Sequence, residues 1–427
     1  MISPARLADA GLGGPALVAA QQLLARAAGA LNQEPAYAWW VPGRVEVLGK
    51  HTDYAGGRVL NCATDLGLVV TAVGNDRQRL RVTSGGERCD LPLSAEAVAN
   101  GGWSTYVATV ARRLARHFPP LTHGANIAIA ANLPPAAGMS SSSAFITALH
   151  HALAAVNRLD QRADYQQAIP TREDLVQYLG CHENGAAFRH LGGDAGVGTA
   201  GGSQDHAAVV CSQSGRLSDW SFNPFRRLAS VAWPARLSLY VLDSGVAAEK
   251  TAAAQGLFNR VSARARAAVA AWNRASGRAD PHLGAALAAG GGAALLAAMP
   301  DDDLARRTGQ FIAESSEIVP GACSALERGD LAAFGALVAR SQQLAESGLE
   351  NQVPETVALA GSARTHGALA ASAFGAGFGG AVWAAFAEGG GAEGWLTDYR
   401  RRFPAHGARA ALQLIHPGPG CTPLHGD

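Results

Sequence analysis

Pro134-Pro135-Ala136-Ala137-Gly138-Met139-Ser140-Ser141-Ser142-Ser143 lies between two segments of different periodicity. Before it, Ala125-Asn126-Ile127-Ala128-Ile129-Ala130 alternates in the manner of a half-buried strand. After it, residues 144–159 are rich in Ala and Leu with few breakers, which predicts a helix. A strand, a turn of small residues and a helix start leave several backbone N–H groups pointing one way without partners. The positive end of the helix dipole adds to them, so the stretch can hold an anion. The consecutive serines supply hydroxyls that bond phosphate oxygens or reach a bound cation. A plain Ser-rich helix cap is the other reading, and the stretch alone does not separate the two.

The 427 residues leave room for two or three domains, and 48% hydrophobic content is enough to fill their cores. A formal net charge of +1 gives no reason to expect nucleic acid or an anionic membrane as partner. No run approaches the roughly 18–20 apolar residues of a membrane span. The first residues lack a basic region followed by an apolar core, so no signal peptide is expected. Cys62, Cys89, Cys181, Cys211, Cys323 and Cys421 are scattered without a C-x-x-C pair. That argues against a disulfide framework or zinc site and fits free thiols in a cytoplasmic protein. The histidines lack zinc-protease spacing, and His150-His151 reads as helix surface.

Taken in order, residues 14–31 predict a helix, and 37–48 a strand-like segment turning at Pro42-Gly43. A polar loop, Gly49-Lys50-His51-Thr52-Asp53-Tyr54-Ala55-Gly56-Gly57, leads to strands over 59–73 and 80–83. Residues 103–117 predict a helix. Thr171-Arg172-Glu173-Asp174 resembles a helix cap, and a glycine-rich stretch over 192–202 precedes Ser203-Gln204-Asp205-His206 and a strand-like 207–211. Periodicity lapses over 223–233, which sets a domain boundary and divides the chain into 1–232 and 233–427. A strand over 237–242 opens the second half. Helices follow over 248–276, 302–317 and 330–346, with a second glycine loop at Gly375-Ala376-Gly377-Phe378-Gly379-Gly380 and a strand over 381–386. A last helix and a strand over 411–415 end the pattern. Strands clustered early and irregular alternation favour an α+β architecture over a doubly wound sheet.

Two phosphate motifs fail on inspection. Gly43 and Gly49 are one residue too far apart for a P-loop, and His51 replaces the required Ser/Thr. Gly375 to Gly380 matches G-x-G-x-x-G, but it reads as following a helix and leading into a strand, the wrong order for a dinucleotide site.

What remains is three loops in fixed order, and together they resemble the GHMP kinases, galactokinase above all. Gly43-Arg44-Val45-Glu46-Val47-Leu48-Gly49-Lys50-His51-Thr52-Asp53-Tyr54 is similar to the signature G-R-V-N-x-I-G-E-H-T-D-Y. The serine stretch resembles P-x-G-x-G-L-S-S-S, and residues 372–380 resemble T-G-A-G-F-G-G. Trp103-x-x-Tyr106 is similar to the W-x-N-Y element beside the adenine pocket. The resemblance covers nearly the whole chain from about residue 36. It implies an N-terminal domain like the second domain of ribosomal protein S5, a ferredoxin-like C-terminal domain, and an active site between them.

The resemblance also implies roles. ATP would be held by Trp103, Tyr106, Pro134, Gly138, Ser140, Ser141, Ser142, Gly375 and Gly377, and Mg2+ by Ser142 and Glu183. Asp205 is the implied base for the attacking sugar hydroxyl, with Arg44 as its basic partner. Arg44, Lys50, His51, Asp53 and Asp205 would surround the sugar. The partners implied are a small sugar and ATP, with the chain a monomer or weak homo-oligomer. Lys50 stands where the signature has a glutamate that holds a sugar hydroxyl, and a cation cannot accept that bond. His206 replaces a glutamine, and no tyrosine follows Val246, where Gln255 and Phe258 lie nearby. About ten glycine-rich residues are inserted before Asp205, and a mobile flap is one reading of them. Three functions stay open: a kinase for galactose, a kinase for another sugar or for a sugar phosphate such as a heptose phosphate, and a silent sugar and ATP sensor.

Overall fold

The computed structural model describes residues 2–134, 138–247 and 252–426. Pro135, Ala136 and Ala137 of the serine stretch, the expected helix start at 248–251, and the side chain of Gln255 lie outside what is described.

The first sheet is built from β1 (Tyr37–Leu48), β2 (Arg58–Asn75), β3 (Arg79–Ser84), β4 (Glu87–Pro92), β5 (Gly124–Ala131), β6 (Arg216–Phe222) and β7 (Phe225–Ala232). The second contains β8 (Leu237–Asp243), β9 (Ala368–Ala373), β10 (Ala381–Ala387) and β11 (Ala411–Ile415), in the order β11-β8-β10-β9. Two short strands near the end, β12 (Pro417–Gly418) and β13 (Thr422–Pro423), return to the first sheet and pair with β2 and β1. Residues 417–423 therefore belong to the first sheet although they follow the second in sequence.

Alternation along β1 and β2 loads both faces of the first sheet. Trp40 and Val69 pack under α2 (Gly14–Leu31), which follows the short α1 (Ala5–Asp9). Trp39, Val41 and Val70 face the main core, shared with α3 (Ser104–His117) and α4 (Ser141–Val156). Helices α5 (Ala163–Ala168), α6 (Arg172–Asn184) and α7 (Gln204–Cys211) complete this half. The second half contains α8 (Ala252–Ser276), α9 (Leu283–Ala297), α10 (Asp302–Ala313), α11 (Val319–Glu327), α12 (Leu331–Leu344), α13 (Pro354–Thr365), α14 (Ala392–Arg402) and α15 (Pro404–Gly407). Leu239, Val241, Trp383 and Phe334 continue the main core from one sheet to the other, so the halves share buried apolar contact. The architecture is α+β.

Several local expectations change. Pro42-Gly43 makes no turn; β1 runs through it with a register shift between Pro42 and Arg44, a bulge that absorbs the proline. Residues 207–211 are helical, not a strand, because α7 starts at Gln204 and runs through Cys211. The glycine loop at 375–380 follows strand β9, not a helix, and joins it to β10. His150 is wholly buried, with Nε2 bonded to the Tyr165 hydroxyl at 2.9 Å, so it is core and not helix surface. The insertion before Asp205 is pinned at Asp194, which takes Arg113 at 2.8 Å and Arg112 at 3.0 Å. All six cysteines are free thiols.

Candidate active site between the two halves

The serine stretch is the N-terminal turn of α4, and the chain enters it through two left-handed residues. Gly138 has φ 71° and Ser140 has φ 57°. The left-handed region suits glycine but costs a serine, and such strain collects where a loop must present its backbone. The first amides of α4 have no intrahelical acceptor. They open into a cleft lined by Gly138, Ser140, Ser141, Ser142 and Ser143, facing Phe374, Gly375, Ala376 and Gly377 of the second glycine loop. A Cβ added to Gly375 would stand 3.2 Å from the Gly138 carbonyl, so the two phosphate-type loops lie in close contact.

Arg44 joins the loops to the acceptor side. It sits on the bulged part of β1, is 4% exposed, and its Nε donates to Asp205 Oδ1 at 2.6 Å. Its Nη1 donates to the Gly138 carbonyl, and its backbone N–H to the Met139 carbonyl at 3.1 Å. The other Asp205 oxygen accepts from Ser140 Oγ at 2.5 Å. Burial works against ionising Asp205, but Arg44 and Ser140 outweigh it and hold the carboxyl below its usual range. Asp205 is thus a carboxylate at neutral pH.

The polar loop after β1 forms the opposite wall with His51, Asp53 and Tyr54. His51 is another left-handed non-glycine residue, φ 56°. Its carbonyl is held by Arg307 Nη2 at 2.8 Å, and the Lys50 carbonyl by Gln310 Nε2 at 3.0 Å, so α10 clamps the strained turn. Burial pushes the His51 ring down to about 4, which keeps it neutral. Its ring nitrogens then meet the Tyr54 hydroxyl at 3.0 Å and the Ala376 carbonyl at 3.1 Å. Burial raises Asp53 to about 6, and its Oδ2 accepts the backbone N–H of Gln204 at 3.1 Å.

A Cβ on Gly202 would lie 2.2 Å from Asp53 Oδ2 and 2.9 Å from the Tyr54 nitrogen. Gly202→Ala is therefore expected to displace Asp53 and, on the sugar-binding role the resemblance implies for Asp53, to weaken sugar affinity about tenfold, in line with about 1–3 kcal/mol for such overpacking. Sugar titration of the variant checks this.

Among the residues singled out from sequence, Arg44, His51, Asp53, Tyr106, Gly138, Ser140, Ser141, Ser142, Glu183, Asp205, Gly375 and Gly377 line one cleft. Lys50, Trp103 and Pro134 do not. Trp103 packs edge-on against Phe145 at 5.7 Å, and its indole N–H bonds Glu87. Lys50 turns away: it is 1% exposed, and its ammonium donates to Ser341 Oγ at 3.0 Å and Ser372 Oγ at 2.7 Å. Glu314 stands nearby in a π-helical turn, accepting from the Gly49 N–H at 3.0 Å and from Ser341 at 2.5 Å. Burial lowers the Lys50 ammonium's pKa, opposed by Glu314. Phe258 does reach the cleft, with its ring 5.5 Å from that of His51.

Sequence reasoning passed over Ser143, Gln204 and Tyr54. Ser143 Oγ donates to Glu183 Oε1 at 2.5 Å, while Ser142, one residue earlier, lines the same wall. The serine run itself carries no signal for which hydroxyl turns inward. Glu183 is 7% exposed, and with Ser142 and Ser143 it offers hard oxygen donors beside the anion loop, a set that suits Mg2+.

This geometry agrees with the comparisons. Residues 28–73 match the family model described as the galactokinase galactose-binding signature. Residues 105–213 match the GHMP kinases N terminal domain, and 322–404 the GHMP kinases C terminal. The galactokinase of Pasteurella multocida is 26% identical over 328 residues, 76% of this chain and 78% of that one. A Haemophilus influenzae galactokinase is 33% identical over 133 residues, 30% of this chain and 34% of that one. The crystal structure of Lactococcus lactis galactokinase complexed with galactose superposes with a TM-score of 0.77 at 20% identity, covering 95% of this chain and 98% of that one. Matching family segments at both ends, a shared fold and one cleft built from all three loops lead to the same place: the chain belongs to the GHMP kinases, carries the galactokinase signature, and is an ATP-dependent sugar kinase.

Proposed function

We propose that the enzyme transfers the γ-phosphoryl group of ATP to the anomeric hydroxyl of galactose or a closely related neutral aldose. The observation that carries this reading is the Arg44–Asp205 pair, set where the sugar loop and the serine loop meet. Asp205 accepts the proton of the attacking hydroxyl. Arg44 keeps that carboxylate ionised and offsets charge on the phosphoryl group in flight. Asp53 and His51 take the remaining sugar hydroxyls. The amides and hydroxyls from Gly138 to Ser142, with Gly375 and Gly377, hold the ATP phosphates, and Tyr106 lies toward the base. Ser142 and Glu183 would hold Mg2+, which when bound neutralises phosphate charge.

The acceptor is read as neutral because, among the described residues, Arg44 is the cation that lines the cleft, and it is committed to Asp205 and Gly138. Lys50, the candidate for a sugar phosphate's anion, is spent on two serines outside it. Turnover of ATP against free sugars and sugar phosphates tests the reading. Galactose as the best acceptor supports it, a sugar phosphate as the best acceptor contradicts it, and saturable sugar binding without ADP release would leave a sensor.

The proposed setting is the cytoplasm, as a monomer or weak homo-oligomer, in keeping with six free thiols. We also propose the division into 1–232 and 233–427, with the strands at 417–423 closing the first unit.

A further inference from the structure

Behind the cleft, a row of buried side chains crosses three strands. Glu46 on β1 pairs with Asn61 on β2, and Asn61 with Ser218 on β6. Their exposures are 0%, 0% and 1%. Gln204, the first residue of α7, closes the row from the cleft side. Its Nε2 donates to Glu46 Oε2 at 2.7 Å, and its carbonyl accepts from Asn61 Nδ2 at 3.0 Å. With its N–H on Asp53, Gln204 is gripped at three points, and the next residue is Asp205.

The row is short of protons. Among the described residues, Glu46 Oε1, Asn61 Oδ1, Gln204 Oε1 and Ser218 Oγ have no hydrogen-bond partner. Three of these are acceptors, and the one hydroxyl can serve only one of them. Flipping the Asn61 amide would forfeit its bond to Gln204, and flipping Gln204 would set oxygen against oxygen at Glu46. A buried acceptor left unmatched carries its full desolvation cost. A single proton on Glu46 Oε1 removes a buried charge and turns one surplus acceptor into a donor. The signature has asparagine at this position, a side chain that is also neutral and bears a donor.

We infer that Glu46 is held as a neutral carboxylic acid and, by anchoring Gln204, positions the Asp205 carboxylate. It is a positioning residue, since it does not line the cleft. The charged groups facing it are Arg44 and Lys50 from its own segment and Asp205 from α7. On β6, Asp219 is paired with Arg58. Burial favours the neutral acid, Arg44 and Lys50 oppose it, and the carboxyl is pushed up from 4.5 to about 7. The native state then binds a proton that the unfolded chain releases near 4.5. The stability so gained is complete below that value and is lost as pH rises through about 7. Once ionised, Glu46 competes with Asp205 for Arg44 and repels the acceptors around it.

The role assigned to Asp205 rests on the kinase reading, but the protonation of Glu46 does not. The test compares the wild type with Glu46→Gln, which keeps a neutral donor of the same length. The wild-type minus variant infrared difference spectrum should show a protonated carboxyl band at about pH 6, beyond what Asp53 and Glu314 give in both proteins, that fades by about pH 8.5. Wild-type kcat/KM should fall about tenfold over that interval relative to the variant's, along a one-proton limb that the variant lacks. Wild-type stability to urea should decline relative to the variant's as pH rises from about 5 to about 7.5. No such band overturns the neutral acid, and a band with superimposable pH profiles overturns the positioning role. Should no sugar be phosphorylated, the band and the stability profile still decide the protonation state, so the two readings fail separately.

Discussion

Asp205→Asn should lower kcat by about a thousandfold while leaving ATP and sugar affinities within a few-fold, the size expected when a general base is removed but its geometry is kept. The amide is isosteric and its oxygen can still accept from Arg44 or Ser140, so the walls of the cleft stay in place. It cannot take a proton at neutral pH. The substitution also removes the charge facing a buried guanidinium, and breaking such a pair costs about 3–5 kcal/mol in a dry interior. Here the cost should be smaller, because the Asp205 side chain is 22% exposed and the negative charge of Glu183 still acts on Arg44. Single-turnover transfer, measured beside equilibrium binding of each substrate, separates the lost chemical step from lost affinity. Transfer at the wild-type rate would remove Asp205 from the role of base.

Lys50→Glu should destabilise the protein by about 3–5 kcal/mol, even though it restores the signature residue. The new carboxylate would replace an ammonium that is 1% exposed and bonded to Ser341 and Ser372. It would also face Glu314, which is fully buried and already accepts from Gly49 and Ser341. Two buried carboxylates without a cation between them cannot both stay ionised. Lys50→Met keeps the length, drops the charge and should lose less than Lys50→Glu. Denaturant unfolding of the three proteins orders them. A Lys50→Glu protein as stable as the wild type, with tighter sugar binding, would mean that position 50 faces the sugar after all.

Residue 50 also shows where the sequence stops informing. The residue type at each signature position was legible, and so was the departure at 50. Its direction was not, because that depends on Ser341, Ser372 and Glu314, which lie some 260 to 320 residues away in sequence. Helix α4 and the strand before the serine stretch follow from local pattern. The cap at Thr171 does too: its side chain accepts the Asp174 N–H at 3.1 Å. Misreadings occurred where tertiary contact overrides propensity. Val209 and Val210 favour a strand, but buried against the main core they sit in α7. Leu283–Ala297 holds three consecutive glycines and gives a poor helical signal, and the helix is interrupted at Gly291, φ 74°. Strand β4, Glu-Arg-Cys-Asp-Leu-Pro, buries only Cys89 and Leu91 and so carried little apolar signal.

The cleft itself was more legible than the fold around it, because each of its loops is contiguous and names its own residues. Ser143 and Gln204 were missed for a different reason. Each lies next to a residue of the motif, and only the start of α4 or α7 decides which neighbour turns inward. The grip on Gln204 depends on Glu46 and Asn61 meeting across β1 and β2, a register that no local pattern states.

The most direct test of the account is to identify the product formed from ATP, Mg2+ and galactose. One ADP should appear for each galactose consumed, with phosphorus on the anomeric oxygen by 31P NMR, and Asp205→Asn should form that product about a thousandfold more slowly. Phosphate on another oxygen, or sugar binding with no ADP released from ATP in the presence of any neutral aldose, would contradict it.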